Sequence, residues 1–508
     1  MPVAKVHSGQ SELLNATIVD VETDLARGLF AFSVVGLPDK AVEEAKDRVS
    51  AAIKNTGLES PKARNQKVVI SLAPAHIKKE GSLFDLPIAL SFLLASEQID
   101  FDPKGKIFLG ELALDGSLRK TIGVLPIVRE AAKSGFTEIY VPEDNLDEAL
   151  LVDGLNIFGV KNLLEVCDHL QKKTLLERGE KKGLTDKHIT HDIDWSHIKG
   201  QESAKRALLI AAAGGHNVLL WGPPGTGKTM LSKAFTSILP NLSYEDMLEA
   251  TSIHSVAGLL GEKTCIEEPP FRAPHHTSSH VAIVGGGQNI KPGEITLAHK
   301  GVLFLDEFPE FDRRVVESLR EPLEEKRIRI SRSKGTANFP ADFILIAAMN
   351  PCPCGNFGGK KPCVCSALSL QKYSQKISGP IMDRIDMWVE VSDIPFSALN
   401  KDEGGVESKE VKEIVSASRQ KQKERCLSMK IAGSKNSDVK GKDLLRYALP
   451  EPDALELLGT VAEKMSLSPR AYHRVLRLAR TIADLEGEKN VKQKHILEAV
   501  QYRQKIEK

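Results

Sequence analysis

The run Gly222-Pro223-Pro224-Gly225-Thr226-Gly227-Lys228-Thr229 has the residue types and spacing of a phosphate-binding loop. Its glycines let backbone N–H groups curl around phosphate oxygens, and a following helix adds a favourable dipole. Lys228 supplies a compact positive charge, and Thr229 a hydroxyl for Mg²⁺. The flanks suit this chemistry. Asn217–Trp221 is an apolar run that reads as a buried strand, and a helical pattern begins near Met230.

A phosphate loop needs an acidic companion. Val302-Leu-Phe-Leu-Asp306-Glu307 ends an apolar strand in two carboxylates. Asp306 is expected to hold the metal, largely through water, and Glu307 to polarise the attacking water. Phe343–Met349 reads as the next strand, and Asn350 at its tip can orient the same water. Ile198-Lys-Gly-Gln201 precedes the helix leading into the loop and suits backbone contact with adenine. Two arginines complete the set. Arg384, just before the strand Met387–Glu390, can reach a γ-phosphate held by a neighbouring subunit. Arg470 opens a helix and is expected to reach the γ-phosphate of its own chain. For both, the plainer alternative is an ion pair with Asp383, Asp386 or Asp484.

Three further groups carry chemistry. Cys352-Pro-Cys354 and Cys363-Val-Cys365 could enclose a tetrahedral Zn²⁺ with a structural role; the alternative is four reduced thiols in a surface loop. In Lys326-Arg327-Ile-Arg329-Ile-Ser-Arg332-Ser-Lys334, a strand would bury the isoleucines and expose the arginines, so a basic hairpin could track DNA phosphates. Phe271–Gly287, with His275, His276 and His280, is a second pore-loop candidate; no metal is expected there. The lysines of Lys409–Lys442 alternate with acids and read as a solvated helix pair.

The elements that position these groups follow from composition. At 508 residues the chain exceeds one core. Lysines and arginines number 69 against 68 acids, so nucleic acid must be met by local patches. No apolar run reaches the length of a membrane span, and the start carries no signal-peptide core, so a cytoplasmic protein without a membrane partner is expected. A reducing compartment disfavours disulfides among the seven cysteines. Residues 1–170 alternate strands (near 68–72 and 106–109) with helices (near 41–54 and 127–133). A polar linker is expected over 171–192, an α/β unit over 193–395, and a helical lid over 396–508.

Several stretches then converge on one family. Ala298–Glu307, Leu319-Arg-Glu-Pro-Leu323, Ala348-Met-Asn-Pro-Cys-Pro-Cys-Gly355 and Ile377–Asp386 resemble the magnesium-chelatase-like branch of AAA+ ATPases. Arg272-Ala-Pro-His-His276, Gly285-Gly-Gly-Gln288 and Ala479–Leu485 are most similar to the ComM/YifB family within it. The resemblance spans nearly the whole chain. It implies an overall α/β class with an N-terminal Lon-protease-like (ribosomal-S5-like) α+β domain, a P-loop AAA+ core and a helical lid. It also implies ATP and Mg²⁺ as cofactors and a homo-hexameric motor on single-stranded and branched DNA. Such a motor extends heteroduplex during natural transformation, beside other recombination proteins. The protease chemistry is not expected to survive: Leu83 stands at the serine position and Arg119 at the lysine position, with Ser82 and Lys120 each one place off. A chelatase subunit and an ATP-dependent protease are the competing functions.

Overall fold

A computed structural model describes residues 3–12, 14–181, 193–261, 263–287, 290–332, 335–357, 362–393 and 405–503. It divides into two compact units, Met1–Lys187 with Tyr244–Ile266, and His188–Ser243 with Glu267–Lys508.

The first unit is built on a seven-stranded mixed sheet. Its order is Ala31–Val35, Gln66–Ala73, Asn15–Arg27, Ala4–Glu12, Lys106–Phe108, Glu138–Pro142, Asn156–Val160. The long strands Ala4–Glu12 and Asn15–Arg27 pair antiparallel, as do Asn15–Arg27 and Gln66–Ala73; the outer pairs are parallel. Helix Asp85–Ala95 is apolar on nearly all sides and is buried throughout its first nine residues, as a core helix should be. Its one acid, Asp85, is met by a bidentate Arg48 at 2.7 and 2.9 Å.

Two boundaries differ from the sequence expectation. Residues 244–266, expected inside the second unit, belong to the first: Gly123 N donates to Ser255 Oγ at 3.1 Å, anchoring helix Tyr244–Val256. This contact joins residues far apart in the chain, which no local pattern reveals. The expected linker is also shorter than drawn. Leu176 N donates to His169 Nδ1 and Gly179 N to Ile157 O, so residues up to 181 lie on the first unit; residues 182–192 lie outside the described ones.

The shifted serine–lysine dyad does not assemble. Ser82 Oγ hydrogen-bonds Glu111, which Arg119 also approaches at 3.5 Å. Lys120 Nζ donates to Gly261 O at 2.9 Å, and Leu83 is buried in the core.

The second unit holds a five-stranded parallel sheet in the order Phe271–Arg272, Val302–Leu305, Ile344–Met349, Val218–Trp221, Met387–Glu390. Both faces are covered, which explains why its strands read as unbroken apolar runs. The chain then turns helical: Ser408–Met429, Gly441–Ala448, Pro452–Lys464, Pro469–Leu485 and Gln493–Gln501. These helices share one hydrophobic core with the sheet and do not form a separate body. Arg480 staples them. Its buried guanidinium donates to the carbonyls of Ala448, Glu488 and Lys489 and pairs with Asp484 at 3.0 Å. The stretch 409–442 is not wholly solvated either, since Lys435 is drawn 3.7 Å from Asp342.

Candidate nucleotide site and its surroundings

The parallel register brings three strand tips together. Trp221 pairs with Met349, and Leu305 with Ala347, so Gly222, Asp306 and Asn350 emerge at one edge of the sheet. Helix Lys228–Ser237 starts two residues earlier than its apolar pattern suggests, with Gly227 as its N-terminal cap. Gly225 and Gly227 hold φ of +81° and +89°, a region that glycine reaches without strain. Gly222 serves close packing, because a Cβ there would stand 2.1 Å from Val391 O.

The side chains at this edge meet one another. Lys228 Nζ donates to Gly222 O at 2.7 Å, Pro223 O at 2.8 Å and Asn350 Oδ1 at 3.1 Å. Burial depresses the Lys228 ammonium below its ordinary pKa. Thr229 Oγ1 donates to Asp306 Oδ2 at 2.8 Å. Gln201 Nε2 reaches Ser392 O at 2.6 Å and Thr226 O at 3.4 Å, which ties the Ile198–Gln201 turn to the loop. Glu307 adopts a left-handed backbone, φ +50°, an uncommon conformation for a non-glycine residue beside a candidate site. A glycine-lined loop, a buried lysine and a Thr–Asp pair form a donor set that fits a magnesium nucleoside triphosphate.

One residue here was missed as a partner of this site. His276 Nδ1 lies 3.1 Å from Glu307 Oε2. In sequence Phe271–Gly287 reads as a pore-loop candidate; nothing in the spacing of its histidines points across to Glu307. The strand that delivers His276, Phe271–Arg272, was missed too, being only two residues long. Arg272 itself forms a bidentate pair with Glu294 at 2.6 and 2.7 Å and is structural.

The two arginines occupy the opposite edge. Arg384 precedes Met387, which pairs with Val218 at the amino end of the central strand. Its guanidinium donates to Pro380 O at 2.7 Å and pairs with Glu324. Arg470 approaches the same Glu324 at 3.5 Å. A reach from Arg470 to the phosphate loop of its own chain is therefore not what the structure shows. Both arginines also line a cavity of about 960 Å³ at this edge. Neither pairs with the aspartates expected as the plainer alternative; Asp383 is taken by Arg474 at 3.4 Å.

The basic hairpin forms as Arg327–Arg332 against Gly335–Pro340. Ile328, Ile330, Ala337 and Phe339 are buried, while Arg327 and Arg329 are exposed. Ile330 packs beside Gly285, where a Cβ would meet its Cδ1 at 3.0 Å, so the two expected pore elements adjoin. Arg327 is held by Glu325, with Nε at 3.0 Å. Lys326 departs from the expected pattern. Its ammonium is shared by Asp438 and Asp342, the latter at 3.0 Å, and this clamp explains its place at the hairpin base. The side chain of Arg332 is not described, and Lys334 and Gln288 lie outside the described residues.

All four loop cysteines converge. Their sulfurs lie within 4.8 Å of one another, with Cys352–Cys354, Cys352–Cys363 and Cys354–Cys363 at 3.4, 3.7 and 3.6 Å.

A phosphate loop on the central strand of this parallel sheet, with an acidic strand tip beside it and a helical C-terminal region, defines a P-loop NTPase of the magnesium-chelatase kind. Residues 194–399 match the family described as magnesium chelatase, subunit ChlI; residues 21–145 match subunit ChlI of Mg-chelatase, and 405–503 the ChlI C-terminal family. The chain is 42% identical to competence protein ComM of Haemophilus influenzae over 99% of this chain and 98% of that one. It is 41% identical to YifB of Escherichia coli over 99% and 97%. A more distant match, 26% identical, joins 46% of this chain to 27% of a maternal DNA replication licensing factor of Xenopus tropicalis. The chain belongs to the ComM/YifB family of magnesium-chelatase-like AAA+ ATPases, whose nucleotide and metal are ATP and Mg²⁺. Among the described residues no helix is long and apolar enough to cross a membrane.

Proposed function

We propose that this chain is one subunit of a homo-hexameric ATPase that moves along single-stranded and branched DNA. On this reading it drives branch migration during recombination of incoming DNA in the cytoplasm, working beside other recombination proteins. The carrying observation is the division of the site. Lys228, Thr229 and Asp306 gather at one edge of the sheet, and Arg384 and Arg470 at the other. A ring in which each subunit offers its arginines to the next subunit's triphosphate uses both edges.

In this assignment the phosphate-loop backbone from Gly222 to Gly227, with Lys228, holds the phosphates; Thr229 and Asp306 hold Mg²⁺. ATP supplies the phosphoryl bond whose hydrolysis drives movement. Glu307 takes a proton from the attacking water, and Asn350 orients that water while also receiving Lys228. Arg384 and Arg470 stabilise developing charge from the neighbouring subunit. Arg327, Arg329, Arg332 and Lys334 line the path of the DNA backbone, with Lys326 fixing the hairpin's base. The first unit is a non-proteolytic scaffold, consistent with Ser82 and Lys120 facing separate partners. The four cysteines hold a structural Zn²⁺. The names of the relatives, a competence protein and a replication licensing factor, support the DNA assignment.

The test is a branch-migration assay on three- and four-strand junctions, with Arg327→Ala/Arg329→Ala beside the unaltered chain. The double variant is expected to keep its DNA-independent ATPase and to lose junction movement. Normal movement would remove the hairpin from the DNA path. An ATPase indifferent to DNA that associates with chelatase partners would favour the chelatase alternative.

A further inference from the structure

The loop from Asn350 to Ser366 joins two features that nothing in an ATPase cycle requires to be neighbours. One is the four-cysteine cluster. The other is the phosphate loop itself. Gly355, three residues after Cys352, turns back at φ +78° with its N–H on Cys352 O at 2.9 Å. A Cβ at Gly355 would lie 2.7 Å from Pro224 Cδ and 3.1 Å from Pro224 Cγ, so the cysteine turn rests directly on the phosphate loop. On its other side the same segment is tied to Asn350, whose carbonyl accepts from Tyr373 Oη at 3.1 Å and whose side chain receives Lys228.

The sulfur spacing suits one kind of occupant. Four thiolates on Zn²⁺ at about 2.3 Å place their sulfurs roughly 3.8 Å apart at tetrahedral angles. Three of the separations, 3.4–3.7 Å, lie just under that edge length and far above a disulfide bond of about 2.05 Å. Backbone N–H groups face the sulfurs: Phe357 N stands 3.3 Å from Cys352 Sγ, and those of Asn356 and Val364 point at Cys354. Such donors stabilise thiolates on a metal. An all-thiolate tetrahedron suits Zn²⁺ and excludes hard, oxygen-seeking ions.

We propose that Cys352, Cys354, Cys363 and Cys365 bind one Zn²⁺, and that the metal-braced turn holds the phosphate loop through the Gly355–Pro224 contact. Zinc occupancy then sets nucleotide affinity. The metal takes no part in hydrolysis. Without it the turn keeps only its hydrogen bonds, Pro224 loses its firm backing, and Asn350 is loosened from the Lys228 side of the site. The coupling rests on the nucleotide reading of the phosphate loop; the zinc site does not.

The experiment measures metal content and nucleotide binding separately on the full chain. Metal is counted by plasma mass spectrometry after expression in zinc-containing medium. Binding is followed with a fluorescent ATP analogue. About one zinc per chain is expected in the unaltered protein, in Lys228→Ala and in Gly355→Ala. Cys354→Ser/Cys363→Ser is expected to lose the zinc and to bind nucleotide on the order of tenfold more weakly. Gly355→Ala is expected to weaken binding similarly while keeping its zinc. Chelating zinc from the unaltered chain under reducing conditions, with circular dichroism unchanged, gives the same weakening should the double variant fail to fold. Absent zinc, or iron in its place, overturns the metal assignment. Zinc present with nucleotide affinity indifferent to its removal and to Gly355→Ala overturns the coupling alone. A chain that carries zinc but binds no ATP analogue overturns the phosphate-loop reading and leaves the metal site standing.

Discussion

The two edges of the parallel sheet in the second unit are built on opposite plans. At the carboxyl edge every candidate side chain finds a partner within reach of the phosphate loop: Lys228 on Asn350, Thr229 on Asp306, Glu307 beside His276. At the amino edge Arg384 and Arg470 share one carboxylate, Glu324, beside an open cavity. The four-residue strand Val218–Trp221 separates these edges by about 13 Å before any loop is counted. No arginine side chain crosses that span. The carboxyl edge is a site that one chain can assemble; at the amino edge the two cations lie on a single carboxylate, away from the phosphate loop.

The largest effect should come from separating the two edges genetically. Arg384→Ala is expected to lower ATP turnover by about a thousandfold, as loss of an arginine finger does, with nucleotide affinity of the chain unchanged. Lys228→Ala should lose nucleotide binding itself. Mixing the two inactive variants then decides the comparison. In the proposed ring, mixing creates junctions where an intact phosphate loop faces an intact Arg384, so turnover should partly return. If mixtures stay as inactive as their components, the arginines do not act between subunits. Arg470→Ala should complement in the same pattern, because it stands on the same carboxylate as Arg384.

A smaller effect is expected inside the carboxyl edge. His276 Nδ1 stands 3.1 Å from Glu307; if Glu307 is the base proposed above, His276→Ala should lower turnover about ten- to hundredfold without weakening nucleotide binding. His276→Asn, whose amide nitrogen falls near the Nδ1 position and can donate to the carboxylate, should recover most of the loss. Equal losses in both variants, or a parallel loss of binding, would assign His276 to folding instead.

How much of this was legible follows the same division. The carboxyl edge could be read because its parts are local: an unbroken apolar run, then the functional residue at its tip. Val302–Leu305 before Asp306 and Ile344–Met349 before Asn350 are written that way. The alternation of Ile328 and Ile330 with Arg327 and Arg329 was legible for the same reason. What no local pattern carries is long-range. Helix Tyr244–Val256 joins the first unit through contacts with residues more than a hundred positions away, and the sequence around it looks like any other helix. A helix-opening arginine such as Arg470 says nothing in sequence about which edge its helix faces, and here it lies on Glu324. His276 lay in a loop whose partner, Glu307, is thirty-one positions on. Lys326 was grouped with its basic neighbours although two aspartates from distant segments claim it.

Lys326 and Arg329 therefore make the finest test, two basic residues three positions apart with opposite expectations. Lys326 sits between Asp342 and Asp438, and Lys300 approaches Asp342 at 3.4 Å. Burial alone would raise the Asp342 carboxyl; Lys435, Lys326 and Lys300 outweigh it and hold the group well below the ordinary aspartate range. By linkage, a depressed carboxyl stabilises the fold at pH values above its unfolded pKa and loses that contribution only as pH falls through the folded one. The cluster should thus survive mild acid. Lys326→Ala should cost about 1–2 kcal/mol, less than a fully buried pair because the lysine is partly exposed, and should leave DNA affinity unchanged. Arg329→Ala should do the reverse: no change in Tm, but weaker DNA binding with a salt slope smaller by about one. Thermal melts and salt-dependent DNA titrations on the same two proteins separate the roles. A Lys326→Ala chain that melts normally yet loses a phosphate contact would return Lys326 to the DNA path and unmake the distinction between the hairpin's clamped base and its exposed face.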